Sequence, residues 1–522
     1  MVKHDKRYRR LWMQPRNKRS IPPYLMQQVL LNFIESLDEA GRLPKNRQKT
    51  LSNQLENQGL KNDYGSRDIN PGGMRTYVAQ LESLGLIFRD KHRRYNLTLA
   101  GEDLLKVGDI TKLMQTQLIR YQYPSAYSRA KKVGIHPKIE VRPFSFLLKL
   151  CRDIDLDGLS SAEFAIPVVY GHAEKDFELC KAKILKTRDS GDISVLFDAQ
   201  TDIDLLYSPN RQTSYQDIDK SISYIKDIGS TMKSHLLSNW LISRDEESGR
   251  FKVSDATIPL INSLNKEKFL KFDNYESFLR KFGRGEKQKD IRNCNQRPST
   301  DSLTIEERSI TYLFHELARS RIIKTIDSQL LKIFTEKGYK PQIVREVVEP
   351  MLPYADKEFA ESFIRSAKGD ANQFEIATTQ IFEELGFDAR RVGNLHGADH
   401  SRYTDILLVL SDETVVVIDN KASASKVSLG VNDIRRLKDH SINFQSIEGL
   451  ENIKAIGCVY VGPKFSSNIG KFCRDAQSKV NLPVGVLTAS HLLRILDKFR
   501  LGETTTEDIK NSILAGNNIL LS

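Results

Sequence analysis

The sequence predicts a multidomain protein, mainly helical in its N-terminal part and α/β at its C-terminal end. Three observations predict this. The chain has 522 residues, too many for one ordinary domain. Its front part twice repeats one order of segments: a helical stripe, two extended runs around a polar tip, and a second helix. From about residue 387 to the end, short β-like runs alternate with helices. The boundaries expected are 1–140 and 141–282 for the two repeats, a linker at 283–302, and an α/β domain at 303–522.

An apolar content of 39% suffices for real cores, and 28% charge is ordinary for a soluble chain. No run approaches the ~18 apolar residues of a membrane span. The basic N-terminus lacks the apolar region of a secretory signal. The cysteines (Cys151, Cys180, Cys294, Cys458, Cys473) form no CxxC pair, so neither a zinc ribbon nor a disulfide framework is indicated. A reducing cytoplasm is the compartment expected.

The charge sits at the front. Residues 1–150 hold 28 Lys+Arg and 13 Asp+Glu, a net of +15, whereas the remaining 372 hold 51 and 54, a net of −3. A polyanion, most commonly nucleic acid, is the partner that such a distribution suits.

The elements follow in order. IPPYLMQQVLLNFIESLDEAG (21–41) has helical spacing, with Gly41 as its stop. In NPGGMRTYVAQLESLGLIFRDKHRRYNLTLAGEDLLKV (70–107), Asn70 is placed as N-cap and Pro71 at the first helical position. Met74, Tyr77, Val78, Leu81 and Leu84 form one apolar stripe, and Gly85 ends it. Leu86–Phe88 and Tyr95–Leu99 read as strands around a basic tip, residues 89–94. Helix, basic-tipped hairpin and helix is the pattern of a winged helix, whose helix enters the major groove and whose wing grips phosphate. Arg75, Thr76, Ala79 and Ser83 are expected to face away from the stripe, with Arg75 and Thr76 placed to touch base edges. Lys91, Arg93 and Arg94 are the expected phosphate contacts.

The second repeat begins near residue 139, with Ser160 and Glu163 at capping-box spacing. Residues 224–264 give a short helix, an extended run, a tip with Gly249, another run and a helix. Lys233 and Ser234 are its surface candidates, Lys233 for DNA. Residues 283–302 lack apolar periodicity and read as a linker.

The α/β part holds the strongest chemical signal, TDILLVLSDETVVVIDNKAS (404–423). If 405–410 and 414–419 are antiparallel strands with a three-residue loop, Leu410 faces Thr414 and Asp405 faces Asp419. Opposed Cβ atoms lie about 5 Å apart, where two carboxylates repel unless a cation lies between them. Lys421 shares a face with Asp419, because strand side chains alternate. Two carboxylates with oxygen-only donors suit Mg²⁺, and a lysine beside it can orient water and stabilise charge on phosphorus. Upstream, Asp370 to Leu385 reads as an amphipathic helix with face Phe374, Ala377, Ile381 and Leu385. Its Glu375 is a candidate third acid. An ion pair at strand ends is the competing structural reading of D-x13-D-x-K. His396 and His400 lie upstream without assigned roles, and Asp399 ranks second to Asp405.

A helix bearing Glu375, then Asp405, then Asp419-Asn420-Lys421 resembles the PD-(D/E)xK nuclease fold. The continuation KASASKVSLGVNDIRRLKDH, AIGCVYVGPKFSSNIGKF and PVGVLTASHLLRILDKFRLGETTTEDIKNSI resembles the cleavage domain of FokI-type restriction endonucleases. The front, notably HPKIEVRPFSFLLKL, is similar to the AlwI, PleI and MlyI group and their nicking relatives. The resemblance implies a bacterial, cytoplasmic type IIS restriction endonuclease. It would bind an asymmetric duplex site and cut at a fixed distance outside it with Mg²⁺. Asp405 and Asp419 would be metal ligands and Lys421 the catalytic lysine, with Thr404 standing where the motif has proline. It also implies a transient homodimer of cleavage domains, for which Asp433 and Arg436 are candidates, and a separate DNA methyltransferase. A strand-specific nicking enzyme is a close variant. A non-catalytic winged-helix regulator and a modification-dependent nuclease are the alternatives.

Overall fold

The computed structural model describes residues 8–9, 11–12, 14–15, 21–57, 72–106, 108–129, 134–191, 218–245, 248–254, 257–264, 267–284, 290, 292, 298, 304–392, 403–411, 413–447 and 449–518. The chain divides into two compact units, 1–305 and 306–522.

In the first unit, helix α1 (Pro23–Glu35) opens on a proline at its first position. It stops at Ser36, whose hydroxyl donates to Asn32 O at 2.8 Å, and not at Gly41, which makes the next turn. Helix α2 (Gly72–Ser83) buries Met74, Tyr77, Val78 and Leu81, and Leu84 just beyond it is buried too. Asn70 and Pro71 lie outside the described residues. Gly85 follows with φ +67°, and a Cβ there would fall 2.5 Å from the Phe282 ring, so only glycine fits both the turn and the contact. Strands β1 (Ile87–Arg89) and β2 (Tyr95–Leu97) pair antiparallel, Ile87 opposite Leu97. Thr98 then caps helix α3 (Leu99–Leu104) by accepting from Gly101 N.

The second repeat has the same order: helix α4 (Ile218–Ser238), strands β3 (Ile242–Arg244) and β4 (Phe251–Val253), helix α5 (Ile258–Leu264). Helix α4 is not short but runs 21 residues, straight through Gly229. A Cβ at Gly229 would lie 2.7 Å from Ala165 N, so the glycine lets the helix pack against backbone without breaking. Both repeats share one apolar core extending from Leu11 to Phe282. Bonds also cross residue 140: Arg120 pairs with Glu267 at 2.6 Å, and Gln115 Nε2 donates to Asn239 O at 2.8 Å.

Described residues of the segment expected as a linker are held: Gly283 O accepts from Ala100 N at 2.8 Å, and Asp290 and Arg292 are bonded further on. The Asp290 side chain is 2% exposed and accepts from Arg280 and Arg292. Arg292 also donates to Leu97 O in β2 at 3.0 Å and pairs with Glu102 of α3. Burial pushes the Asp290 carboxyl up, but hydrogen bonds from Arg292 and Arg280 outweigh it and hold it well below the usual range. Asp290→Asn leaves two guanidinium groups without their shared anion. Limited trypsin digestion of the folded chain is expected to cut within 283–304 at least ~10-fold faster in this variant. An unchanged rate would contradict the anchoring.

The second unit opens with four helices: α6 (Ile305–Ala318), α7 (Ser328–Glu336), α8 (Pro341–Val348) and α9 (Leu352–Ser366). Helix α10 (Ala371–Glu384) follows, N-capped by Asp370, which accepts from Gln373 N. The capping box is half-formed, because the Gln373 side chain donates to Arg319 O at 2.8 Å instead of reaching back. A six-stranded sheet then forms in chain order. Its strands are β5 (Asp388–Arg391), β6 (Ile406–Ser411), β7 (Thr414–Asn420), β8 (Lys454–Gly462), β9 (Val484–Thr488) and β10 (Asn517–Asn518). β6 runs antiparallel to both its neighbours β5 and β7, and β7 to β10 are parallel.

Both faces of the sheet are covered, which is why its strands read as unbroken apolar runs. Ile406, Leu408, Val416, Ile418, Val459 and Val461 join one core, with Phe363 of α9 and Phe374, Ala377 and Ile381 of α10. Leu407, Val415, Val417, Cys458 and Tyr460 join the other, with helices α11 (Val431–Asn443) and α12 (Ile469–Val480). Among the described residues no helix is long and apolar enough to cross a membrane.

Candidate active site

The β6–β7 hairpin carries the predicted acids. Ile406 pairs with Ile418, so one step outward Asp405 stands opposite Asp419, as the hairpin register requires. The register slips only near the turn, where Ser411 rather than Leu410 faces Thr414. A bulge absorbs the extra residue there without disturbing the far end. Asp419 shares the face of Val415 and Val417 and is 4% exposed.

Thr404 is fully buried and donates its hydroxyl to Ile418 O at 2.5 Å. That bond fixes the entry into β6, the task a proline would do by rigidity. Asn420 N donates to Asp405 Oδ2 at 2.6 Å, so the backbone of β7 holds the first acid. Lys421 Nζ lies 2.9 Å from Asp419 Oδ2 and 4.0 Å from Asp433 Oδ1. Its own N–H donates to Val461 O at 2.8 Å, tying the lysine backbone to β8.

The electrostatics are those of crowded acids. Burial pushes the Asp405 carboxyl well above its ordinary value, and the charges of Asp419 and Glu375 push the same way. The Asn420 hydrogen bond and Lys421 only partly offset this. Asp419 Oδ2 is buried and takes no well-aligned hydrogen bond, although the Lys421 ammonium lies beside it. An opposed carboxylate pair, one driven toward protonation and the other short of donors, suits a dication with hard oxygen ligands. Asp405 and Asp419 are the residues that fit it.

Glu375 acts on Asp405 by charge but is held elsewhere. Arg391 reaches it at 2.9 and 3.2 Å and also donates to Asn372 Oδ1 at 2.6 Å. Among the described residues no three His, Cys, Asp or Glu side chains gather to hold a metal. Sequence reasoning missed Arg391. Its strand was legible, but its pairing across to a helix has no local signature. Asp433, a candidate for the pairing surface, lies with Oδ1 4.0 Å from Lys421 Nζ, and Arg436 is exposed on α11. His396, Asp399 and His400 lie outside the described residues.

In the first unit Arg75 is exposed and Thr76 partly so. Ser83 is buried, not outward, because the last turn of α2 is enclosed: Gln80, Glu82 and Leu84 are buried beside it. Glu82 pairs with Arg89 at 2.9 Å. At the hairpin tip Lys91 and Arg93 are exposed, while Arg94 is held by Asp90 at 2.7 Å. Lys233 is partly buried, 4.9 Å over the Phe251 ring and 2.7 Å from Ser161 Oγ. Burial, then the charge of Arg244, lower its pKa.

Residues 338–520 match the family model of the FokI cleavage domain. The matched stretch contains Glu375, Asp405, Asp419, Lys421 and Asp433, and so the whole candidate site of this FokI-like region. No curated protein matches the chain. The structure of restriction endonuclease FokI aligns with 98% of this chain and 100% of its own at 12% identity. FokI bound to DNA aligns with 94% of this chain and 89% of its own, also at 12% identity. Each has a TM-score of 0.29, which is too low to carry an argument about the fold of the whole chain.

Proposed function

We propose that this protein is a type IIS restriction endonuclease. Its first unit binds an asymmetric site in double-stranded DNA, and its FokI-like region hydrolyses phosphodiester bonds at a fixed distance outside it. The observation that carries this reading is the opposed Asp405–Asp419 pair with Lys421 beside it, inside the stretch similar to the FokI cleavage domain. Asp405 and Asp419 would hold Mg²⁺, and Asn420 N keeps Asp405 in place. Bound there, Mg²⁺ supplies Lewis acidity and a more acidic water. Lys421 orients the attacking water and stabilises the charge that develops on the phosphoryl oxygens. Glu375 adds negative charge from α10 without reaching ligand distance.

The first unit reads as winged-helix-like, of the AlwI, PleI and MlyI kind. Arg75 and Thr76 are placed for base contact, and Lys91 and Arg93 for phosphate. Arg94 and Lys233, with intramolecular partners, are weaker contacts. Double-strand cutting calls for transient pairing of two cleavage domains through the α11 surface bearing Arg436. A host methyltransferase would protect bacterial DNA in the same cytoplasm. Replacing Lys91 and Arg93 by alanine is expected to weaken DNA binding evenly across sequences. The slope of log K against log salt should become shallower by about 0.9 for each phosphate that is no longer neutralised. Weakening confined to one sequence would contradict the phosphate role.

The test of the function is a supercoiled plasmid incubated with the protein in Mg²⁺ and in EDTA. Cut or nicked product in Mg²⁺ alone is the expected result. DNA that is bound specifically but never cut, methylated or not, would overturn it in favour of a regulator.

A further inference from the structure

Lys421 stands between two carboxylates, and only one of them belongs to the proposed metal pair. Its ammonium is 2.9 Å from Asp419 Oδ2 and 4.0 Å from Asp433 Oδ1. Asp433 is itself fixed. It lies in the first turn of α11, where its other oxygen, Oδ2, accepts from Gly430 N at 2.8 Å. Its backbone carbonyl accepts from the Tyr460 hydroxyl at 3.0 Å, and the Tyr460 ring lies 5.5 Å from Lys421 Nζ. Tyr460 is fully buried and stands directly across from Asp419 in the β7–β8 pairing. The second carboxylate is therefore anchored to the same sheet that carries the first.

A dication held by Asp405 and Asp419 repels an ammonium resting on Asp419. Lys421 then needs another anion within reach of a small side-chain rotation, or the repulsion weakens metal binding. We propose that Asp433 is that anion: a positioning residue that receives Lys421 when Asp419 turns to the metal, and holds the ammonium beside the site. This rests on the metal-dependent nuclease reading above. It gives Asp433 an inward role, separate from pairing of cleavage domains.

The experiment is Mg²⁺ titration calorimetry on the full chain without DNA. It compares wild type, Asp433→Asn, Lys421→Gln and the double variant. Asp433→Asn is expected to weaken Mg²⁺ binding ~10-fold. In the Lys421→Gln background the same change should cost less than ~2-fold, because no displaced ammonium remains to be received. Single-turnover cleavage by Asp433→Asn should slow at saturating DNA, and raising the protein concentration should not restore it. Unchanged Mg²⁺ affinity in Asp433→Asn would overturn the proposal. So would an equal loss in both backgrounds, which is plain removal of a nearby charge, or a rate restored at high protein concentration, which is a pairing defect. A wild type that neither binds Mg²⁺ nor cuts DNA would remove the nuclease reading itself.

Discussion

Asp419→Asn is expected to lower DNA cleavage at least ~1000-fold, equivalent to about 4 kcal/mol of transition-state stabilisation. Asn keeps the shape of a nearly fully buried side chain, so the β6–β7 hairpin and the packing of Val415 and Val417 should persist. It removes the negative charge that faces Asp405 and pairs with Lys421. DNA binding in EDTA should stay within ~3-fold of wild type, because exposed Lys91 and Arg93 lie in the other unit. Single-turnover cleavage and filter binding check the two halves. Retained cleavage would sink the site assignment. Abolished binding as well would point to a misfolded variant, and Asp419→Glu would then separate charge from fold.

Asp405→Asn should split activity from stability. Burial and the charges of Asp419 and Glu375 raise the Asp405 pKa. A carboxyl raised on folding binds its proton more tightly in the native state, so stability falls as pH rises from the unfolded value near ~4 toward the folded one. At neutral pH, above the unfolded value near ~4, the metal-free fold carries that loss of stability. Asparagine removes it. The expected result in EDTA at neutral pH is a Tm at least ~2 °C above wild type, a gap that narrows as pH falls. Cleavage should be abolished, and Mg²⁺ should raise the Tm of wild type much more than that of the variant. A lower or unchanged metal-free Tm would contradict the electrostatic account.

What the sequence made legible follows from periodicity. The strands of the second unit are buried on both faces and read as unbroken apolar runs, so Ile406–Ser411 and Thr414–Asn420 were found within one or two residues. The register near Asp405 was legible because strand side chains have a strict period of two. The turn was not, because a bulge between Val409 and Ser411 leaves no mark on the apolar pattern. Ser83 was misplaced because helical spacing identifies a stripe but not what covers the opposite side. The extent of α4 was missed because its tight packing at Gly229 against Ala165 is a contact between elements, which leaves no mark on local spacing. Arg391 with Glu375, Lys421 with Asp433, and Asp290 with Arg280 are pairings between separate segments, which one-dimensional spacing does not encode.

The central claim is that the first unit selects a site and the second cuts away from it. Sequencing of the ends made from a plasmid of known sequence in Mg²⁺ tests it most directly. The account predicts ends at one constant offset from a single short asymmetric motif, on both strands, or on one strand for a nicking enzyme. Ends scattered without a common motif, or lying inside a symmetric one, would contradict it.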